Sequence, residues 1–364
     1  RVEEEAAAVM DRLHSILVSG LILLGAWGSS ATVLGAEDGD PLFASDELLA
    51  LQLTGPLRSM ARDRSDEPEA RLGRLSFTDS SGALVEVPIE LSPRGKSRRN
   101  RQVCSFPPLS LKLPKKEMDG TVFENQKSLK LVTYCKSQER HQQYLLKEYL
   151  AYRIFNLLTD NSLRVRLLQI EYVDEDRGGK ALVRLGFVIE HFKRFAKRLG
   201  VKRVKPITIP REQLEPAQAS LVELFEYLIG NVDFSLLSGP TGDDCCHNAK
   251  LFQTTDGLML PVPYDFDMTG FVDPPYGSAN AQLKQRNIRQ RIYRGLCRVG
   301  DHHQNAVDRA QEMRQPIEQL IRDQAGVDDK NRKKILSYLA EFYDVLDDPQ
   351  KLQQDILGAC RYPL

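Results

Sequence analysis

Acids and an amide between positions 230 and 270 have the types and order that phosphoryl transfer uses. Asp233 follows a predicted helix, Asn248 opens the predicted strand "NAKLF", and Asp265 stands at the mouth of the returning strand "LMLPVPYDFD". Phosphoryl transfer needs a carboxylate beside the attacking hydroxyl, with an amide and a carboxylate to hold divalent ions on the phosphates. The set therefore predicts such a site. The alternative is structural, with "DFD" and Asn248 serving as turn residues.

Glu148 is a further charged residue that needs a partner. It lies on the apolar face of a predicted helix at residues 142–158, where an unpaired carboxylate would be costly. Lys112 in "LSLKL" and Lys130 in "SLKLVTYC" are both placed to pair with it, as the strand lysine of a kinase does while it contacts the nucleotide phosphates. Lys130 is nearer to the helix in the sequence. The alternative is a structural ion pair without a nucleotide.

The elements that would position these residues change character near residue 140. Short alternating runs over residues 48–133, separated by "DSSG", "SPRG" and "KEMDG", predict strands. The helix of residues 142–158 follows, and then a hairpin whose strands "RVRLLQIEYV" and "ALVRLGFVIE" flank "DEDRGGK". Helical patterns dominate after residue 190. This order predicts an α+β chain with a two-lobed protein-kinase-like fold, made of a strand-rich N-terminal lobe and a helical C-terminal lobe.

The same pattern divides the chain into four segments. These are a leader (1–36), a strand-rich N-terminal extension (37–87), a kinase-like N-lobe (88–190) and a kinase-like C-lobe (191–364). The leader carries the apolar run "ILVSGLILLGAW" and then small residues, which is the order of a signal peptide over about residues 10–36. We therefore expect export to the periplasm or the extracellular space, with no stable membrane span in the mature chain. The alternatives are an uncleaved anchor or a buried helix.

Charge and composition argue against a nucleic-acid partner. Lys plus Arg and Asp plus Glu both number 50, so the chain has no net charge to attract a polyanion. The dense basic run "RGKSRRNR" at residues 94–101 is typical of a solvated loop. With 41% hydrophobic residues, the chain of 364 residues can bury a sizeable core.

The cysteines predict disulfides, because an exported chain meets an oxidising compartment. They are Cys104, Cys135, Cys245, Cys246, Cys297 and Cys360. Adjacent cysteines do not easily bridge each other, so we expect Cys245 and Cys246 each to bridge elsewhere. Their natural partners are Cys297 and Cys360, which leaves Cys104–Cys135 as the third pair. A zinc–thiolate site is the alternative, but there is no CxxC spacing to support it.

Several of these motifs together resemble a known family. The order "LVTYCKSQERHQQYLLKEYLAYRIFNLL", "LGFVIEHFKRFAKRLG", "HNAKLF" and "PYDFDMTG" is similar to the CotH family of spore-coat-type atypical protein kinases, which are related to secretory-pathway kinases. The likeness covers roughly residues 88–277. It implies that Asp233 is the catalytic carboxylate, that Asn248 and Asp265 are metal ligands, and that Asp267 is a ligand of a second metal ion.

The resemblance also implies roles on the nucleotide side. Glu190 would sit at the end of the hinge strand, and Arg94 belongs to "RGKS", which is similar to the family's "RGNSS" segment. The implied activity is transfer of phosphate from ATP, with Mg²⁺ or Mn²⁺, to a Ser, Thr or sugar hydroxyl of an exported protein or glycan. Two alternatives stay open: a catalytically weak, pseudokinase-like scaffold of the envelope, and an AMP transferase with the same ligands.

Overall fold

In the part of the chain that the structure describes, alternation of apolar and polar residues builds ten strands, seven of which close into a barrel. The computed structural model describes residues 40–361 except 297 and 299. The barrel strands are β1 (Leu49–Gly55), β2 (Arg71–Thr78), β3 (Leu84–Pro93), β4 (Leu109–Lys112), β5 (Ser128–Val132), β6 (Val165–Asp174) and β7 (Lys180–Ile189). A separate sheet of order β10-β9-β8 consists of β8 (Lys202–Val204), β9 (Ala249–Gln253) and β10 (Met259–Pro263).

A pairing between distant parts of the chain closes the barrel. The strand order is β1-β2-β3-β4-β5-β7-β6, and β1 pairs in parallel with β6, with Leu51 opposite Ile170. Across this pair Gln52 donates a hydrogen bond of 2.8 Å to Glu171, which lies 119 positions further along the chain. The other neighbouring strands of the barrel are antiparallel.

The predicted two-lobed protein-kinase-like fold is therefore wrong. The structure is a closed seven-stranded β-barrel with mixed α and β content, and the C-terminal part contains a three-stranded sheet as well as helices. The physical reason is that a local alternating pattern indicates a strand and its buried face, but it does not indicate which distant strand becomes its neighbour.

The barrel wall separates two hydrophobic cores. In β5, Leu129 and Leu131 point into the barrel and join its inner core, because successive side chains of a strand point to opposite faces. Val132 points outward and packs in the second core, which also contains residues of the long helix Arg140–Leu158 and of the helices that follow it. Lys130, on the outward face too, lies in the cleft described below. The outer face of β5 thus forms one wall of the candidate site.

Eight α-helices complete the described part of the chain. They are α1 (Leu57–Arg62), α2 (Arg140–Leu158), α3 (Phe192–Arg198), α4 (Pro216–Ile229), α5 (His302–Glu312), α6 (Arg314–Asp323), α7 (Asp329–Leu346) and α8 (Pro349–Leu352). In α4, the Glu215 side chain accepts hydrogen bonds from two first-turn amides, and the helix ends at Gly230 with φ of 65°. A left-handed glycine at this position is a common helix stop, and here it turns the chain toward Asp233.

The disulfide prediction is wrong for the adjacent cysteines. Cys245 is bonded to Cys246, and the peptide bond between them is cis, with Cα atoms 3.0 Å apart, a geometry that the sequence does not indicate. The predicted Cys104–Cys135 bridge is confirmed. Cys360 is disulfide-bonded as well, and Cys297 lies outside the described residues.

The predictions about the leader, the domain boundary and membrane spans have different outcomes. The leader and its signal peptide lie outside the described residues. The boundary predicted between residues 87 and 88 falls inside β3, and the described residues from Asp40 onward belong to one compact unit. None of the helices in the described part of the chain has the length and apolar character that crossing a membrane requires.

Candidate functional site

A cavity of about 610 Å³ collects the acids and the amide that the sequence singles out. Asp233, Asn248, Asp265 and Asp267 all line it, and we call it the acidic cavity. These residues come from two separate segments, the loop after α4 and the two ends of the β9–β10 hairpin. The fold thus brings together groups that are up to 34 positions apart (267 − 233) in the sequence.

The β9–β10 hairpin places Asn248 and Asp265 side by side. Pro263 lies opposite Ala249 in the antiparallel register, and the next pair outward is joined by a hydrogen bond of 3.0 Å from the Tyr264 N–H to the Asn248 carbonyl. Asn248 and Asp265 both have positive φ, 50° and 70° respectively. Asn and Asp tolerate the left-handed region better than most residues, so these residue types suit the backbone as well as the cavity.

The loop that carries Asp233 is held from both sides. The backbone N–H of Asp233 donates a hydrogen bond of 2.9 Å to the side-chain oxygen of Asn231. From the C-terminal part of the chain, Arg294 donates to the carbonyls of Val232 and Phe234. These bonds fix the loop backbone, so the Asp233 carboxylate projects from a rigid support.

Asp233 has two side-chain neighbours in the acidic cavity. His247 Nε2 lies 2.9 Å from Asp233 Oδ1, and the Asn248 amide donates to the Asp233 backbone carbonyl at 2.7 Å and to Oδ2 at 3.4 Å. The His247 hydrogen bond is the main cause that lowers the pKa of Asp233, and the same contact raises the pKa of His247. Asp233 is therefore an ionised carboxylate at neutral pH, oriented by an imidazole.

Asp265 lies where the acidic cavity meets a second, smaller one. Its backbone N–H donates to the Tyr152 hydroxyl at 2.9 Å, which links the hairpin to α2. The residue is exposed to solvent in the two cavities that it lines. The protein around these cavities desolvates the carboxylate, and this desolvation, followed by the charge of Asp267, raises the pKa of Asp265, while Arg98 and Arg94 oppose the rise. Within the described residues, no side chain donates a hydrogen bond to its carboxylate.

Glu148 has a buried arginine as its partner. Arg98, in the short 3₁₀ helix Ser97–Arg99, donates to Glu148 Oε2 at 2.5 Å and to Asp267 Oδ2 at 2.7 Å. The three side chains are only 4–8% exposed. Burial raises the pKa of Glu148, and Arg98 opposes this. Neither predicted lysine makes this ion pair, because the run read as a solvated loop enters the interior and supplies a guanidinium that reaches both acids.

The second cavity combines cations with an apolar wall. It measures about 80 Å³, adjoins the acidic cavity at Asp265, and we call it the inner cavity. Its apolar lining includes Val132, Leu163, Ile189 and Phe192, and its cations include Arg94, Arg98 and Lys130. Lys130 Nζ lies 3.8 Å from the centroid of the Phe192 ring. Burial, followed by repulsion from Arg94, lowers the pKa of Lys130 to about 7.

Two of the predicted nucleotide-binding residues line neither cavity. Lys112 forms an ion pair of 2.7 Å with Glu90 on the exposed side of the barrel. Glu190 follows β7 but is buried against Arg198, at 2.9 Å, and also accepts the backbone N–H of Arg164. The structure therefore groups Arg94, Lys130 and Glu148 around the inner cavity and separates Lys112 and Glu190 from it.

Three site residues were not identified from the sequence, namely Arg98, His247 and Arg294. Arg98 stands in the basic run next to Arg94, so the density of that run beside an unpaired buried Glu148 was the available signal. His247 directly precedes Asn248. No local signal indicates Arg294, because its partners are backbone carbonyls 60 or more positions away.

The donor set fits a divalent cation only if substrate phosphates complete the coordination shell of the ion. Among the described residues, no group of three or more His, Cys, Asp and Glu side chains is arranged to hold a metal ion. Mg²⁺, however, usually takes one or two carboxylates and completes its shell with water and substrate phosphates. The Asp265 carboxylate and the Asn248 amide oxygen meet that requirement, whereas Asp267 is engaged by Arg98 and by the Tyr276 hydroxyl.

No protein family matches the sequence, and no curated protein matches it. The resemblance to the CotH family therefore rests on the quoted motifs, and the site has to be interpreted from its own geometry.

Proposed function

We propose that the chain transfers the γ-phosphoryl group of ATP, with Mg²⁺ or Mn²⁺, to a hydroxyl of a protein Ser or Thr or of a sugar. One observation carries this proposal: a carboxylate and amide wall, formed by Asp233, Asn248 and Asp265, adjoins a cationic pocket that contains Arg94 and Lys130. A metal–triphosphate complex needs both kinds of group, because acidic side chains bind the cation and basic side chains bind the anionic phosphates.

The inner cavity supplies the nucleotide side of this assignment. Val132, Leu163 and Ile189 offer an apolar surface for a base, and Arg94 and Lys130 offer positive charge for phosphate oxygens. Asp265 and Asn248 are the residues that would hold the ion, which when bound neutralises charge on the phosphates. The buried Glu148–Arg98–Asp267 network fixes α2 against the hairpin that carries Asp265.

In this proposal, Asp233 takes the proton of the acceptor hydroxyl. The hydroxyl oxygen forms a bond to the γ-phosphorus, the bond from that phosphorus to the β,γ-bridging oxygen breaks, and ADP leaves with the electron pair. The hydroxyl proton passes to Asp233, whose Oδ2 is not bonded to His247. His247 holds the carboxylate in place through Oδ1, and Arg294 holds the backbone of the same loop.

A binding protein without turnover is the second candidate. It is favoured by the small inner cavity, about 80 Å³, and by the pairing of Glu148 with Arg98 instead of a lysine that faces phosphate. AMP transfer on the same ligands differs only in which phosphorus is attacked. The proposal includes export, which the predicted leader and the disulfides support, and membership of the CotH family, which the motifs support.

The test compares two aspartates of one hairpin. We expect the purified mature chain to transfer label from γ-labelled ATP to itself or to an added protein or glycan in the presence of Mn²⁺. Asp265→Ala should lower transfer by about 10²-fold or more, whereas Asp256→Ala, at the exposed turn between β9 and β10, should not change it. Full transfer by the Asp265→Ala variant would contradict the proposal, and ATP binding without transfer by the wild type would favour the binding protein.

A further inference from the structure

A separate cavity opens at one end of the barrel. It measures about 560 Å³ and shares no residue with the acidic or inner cavity. Helix α1, the end of β6, the β6–β7 turn and the start of β7 surround it, together with residues just before β4 and just after β5. We call it the barrel-end cavity. Its volume is in the range of small-molecule sites, which is roughly 300–1,000 Å³.

Three aromatic rings form the floor of the barrel-end cavity. Phe106 and Tyr134 are stacked with their centroids 5.0 Å apart, and Tyr172 meets both edge-on at 5.5 and 5.1 Å. All three side chains belong to the inner core of the barrel, so the floor is rigid. The Tyr172 hydroxyl is buried and has no hydrogen-bond partner among the described residues.

Three cations stand at the rim of the barrel-end cavity. Arg58, Arg177 and Lys180 line it and are exposed, and within the described residues none of them has a carboxylate at ion-pair distance. Asp174 is the only acid among the described residues of the lining, and its Oδ1 already accepts hydrogen bonds from the backbone N–H groups of Arg58 and Asp176. The rim therefore presents an excess of positive charge above an aromatic floor.

The acids next to the rim are occupied elsewhere. Glu175 lies 3.7 Å from Arg74 on the outside of the barrel. Asp176 accepts the backbone N–H of Ser59 at 2.7 Å, which fastens the β6–β7 turn to α1. Neither carboxylate lines the cavity, but Asp176 attracts Arg58, so the rim charge that acts on a ligand comes mainly from Arg177 and Lys180.

We propose that the barrel-end cavity binds a small organic anion with a planar apolar body, such as an aryl carboxylate. The ring of the ligand contacts Phe106, Tyr134 and Tyr172, since aromatic faces and edges pack favourably at these separations. Its anionic group lies at the rim, where Arg177 and Lys180 supply charge-assisted hydrogen bonds. The site does not depend on the proposed transferase activity, because it has its own residues.

The experiment uses 2-naphthoate as the probe, measured by isothermal titration calorimetry on the full chain. Two matched probes separate the contributions: 2-naphthamide keeps the ring without the charge, and acetate keeps the charge without the ring. The double variant Arg177→Gln/Lys180→Gln removes two exposed rim charges, one in the β6–β7 turn and one at the start of β7. The matched control is Lys333→Gln/Lys334→Gln, which removes two exposed lysine charges from α7 at positions that do not line the cavity.

We expect 2-naphthoate to bind at one saturable site, at least tenfold more tightly than either 2-naphthamide or acetate. The double variant should bind it about tenfold more weakly, and the Lys333→Gln/Lys334→Gln control should bind it as the wild type does. Melting curves of the variants should match the wild type, since the changed side chains make no hydrogen bond within the described residues. The proposal is overturned if 2-naphthoate does not bind, if 2-naphthamide binds equally well, or if the double variant binds like the wild type.

Discussion

Removal of Arg98 tests how the candidate site is held together. Arg98→Met keeps much of the side-chain length but leaves Glu148 and Asp267 without the guanidinium that both contact at 2.5 and 2.7 Å. Since all three side chains are almost completely buried, water cannot replace the lost bonds. Breaking a buried ion pair by removing one partner costs about 3–5 kcal/mol. We therefore expect the free energy of unfolding at pH 8 to fall by that amount, and the melting temperature by roughly 10 °C.

The loss should depend on pH with a definite sign. In the wild type, burial raises the pKa of Glu148 to about 8 although Arg98 opposes the rise, and removal of Arg98 raises that pKa further. Below about pH 8 the folded states of both proteins keep the Glu148 proton, so the additional loss of stability from this group grows as the pH rises above about 8. Urea unfolding at pH 8 and at pH 9.5 measures both values, with Arg101→Met in the same basic run as an exposed control. A loss below about 1 kcal/mol at pH 8, or one equal to that of the control, would refute the buried network.

Three further predictions concern the cleft and the cysteines. Asp233→Ala should lower transfer by about 10²–10⁴-fold but keep the thermal stabilisation that ATP and Mn²⁺ give. Asp265→Ala should lose both the transfer and the stabilisation. Equal ATP binding by the two variants would contradict the separate roles of these aspartates. Because the pKa of Lys130 is lowered to about 7, the ammonium loses its charge above that pH, and ATP affinity should fall by up to about tenfold per pH unit between pH 7 and 9. Lys130→Gln should remove this dependence of ATP affinity on pH. An unchanged pH profile in that variant would contradict a contact between Lys130 and the phosphates. Mass mapping under non-reducing conditions should find Cys245 and Cys246 bonded within one peptide, and two free thiols there would contradict the structure.

Helices and strands of this chain can be predicted from the sequence where the pattern of a single segment is sufficient. The predicted helix at residues 142–158 is found as Arg140–Leu158, and the predicted hairpin around "DEDRGGK" is found as β6 and β7. In both, apolar periodicity and turn residues act within a single segment. The end of α4 and the start of β9 also follow such signals, which is why Asp233 and Asn248 could be placed at the ends of elements.

The rest depends on contacts between distant segments. The barrel closes because β1 meets β6, and nothing in the alternation of β1 specifies that neighbour. Glu148 could be recognised as needing a cation, but the choice of Arg98 over two lysines follows from how the basic run folds inward. Similarly, nothing in the sequence indicates that the adjacent Cys245 and Cys246 are bonded to each other.

The most direct test of the proposed function compares two positions of the label on ATP. The mature chain is incubated with Mn²⁺ and either γ-labelled or α-labelled ATP, and protein- or glycan-bound label is measured for the wild type and for Asp265→Ala. Phosphoryl transfer predicts bound label from γ-labelled ATP alone, lost in the variant. Label from α-labelled ATP would instead mean AMP transfer, and no label from either, with ATP still bound, would mean that the acidic cavity of Asp233 and Asp265 binds without catalysing transfer.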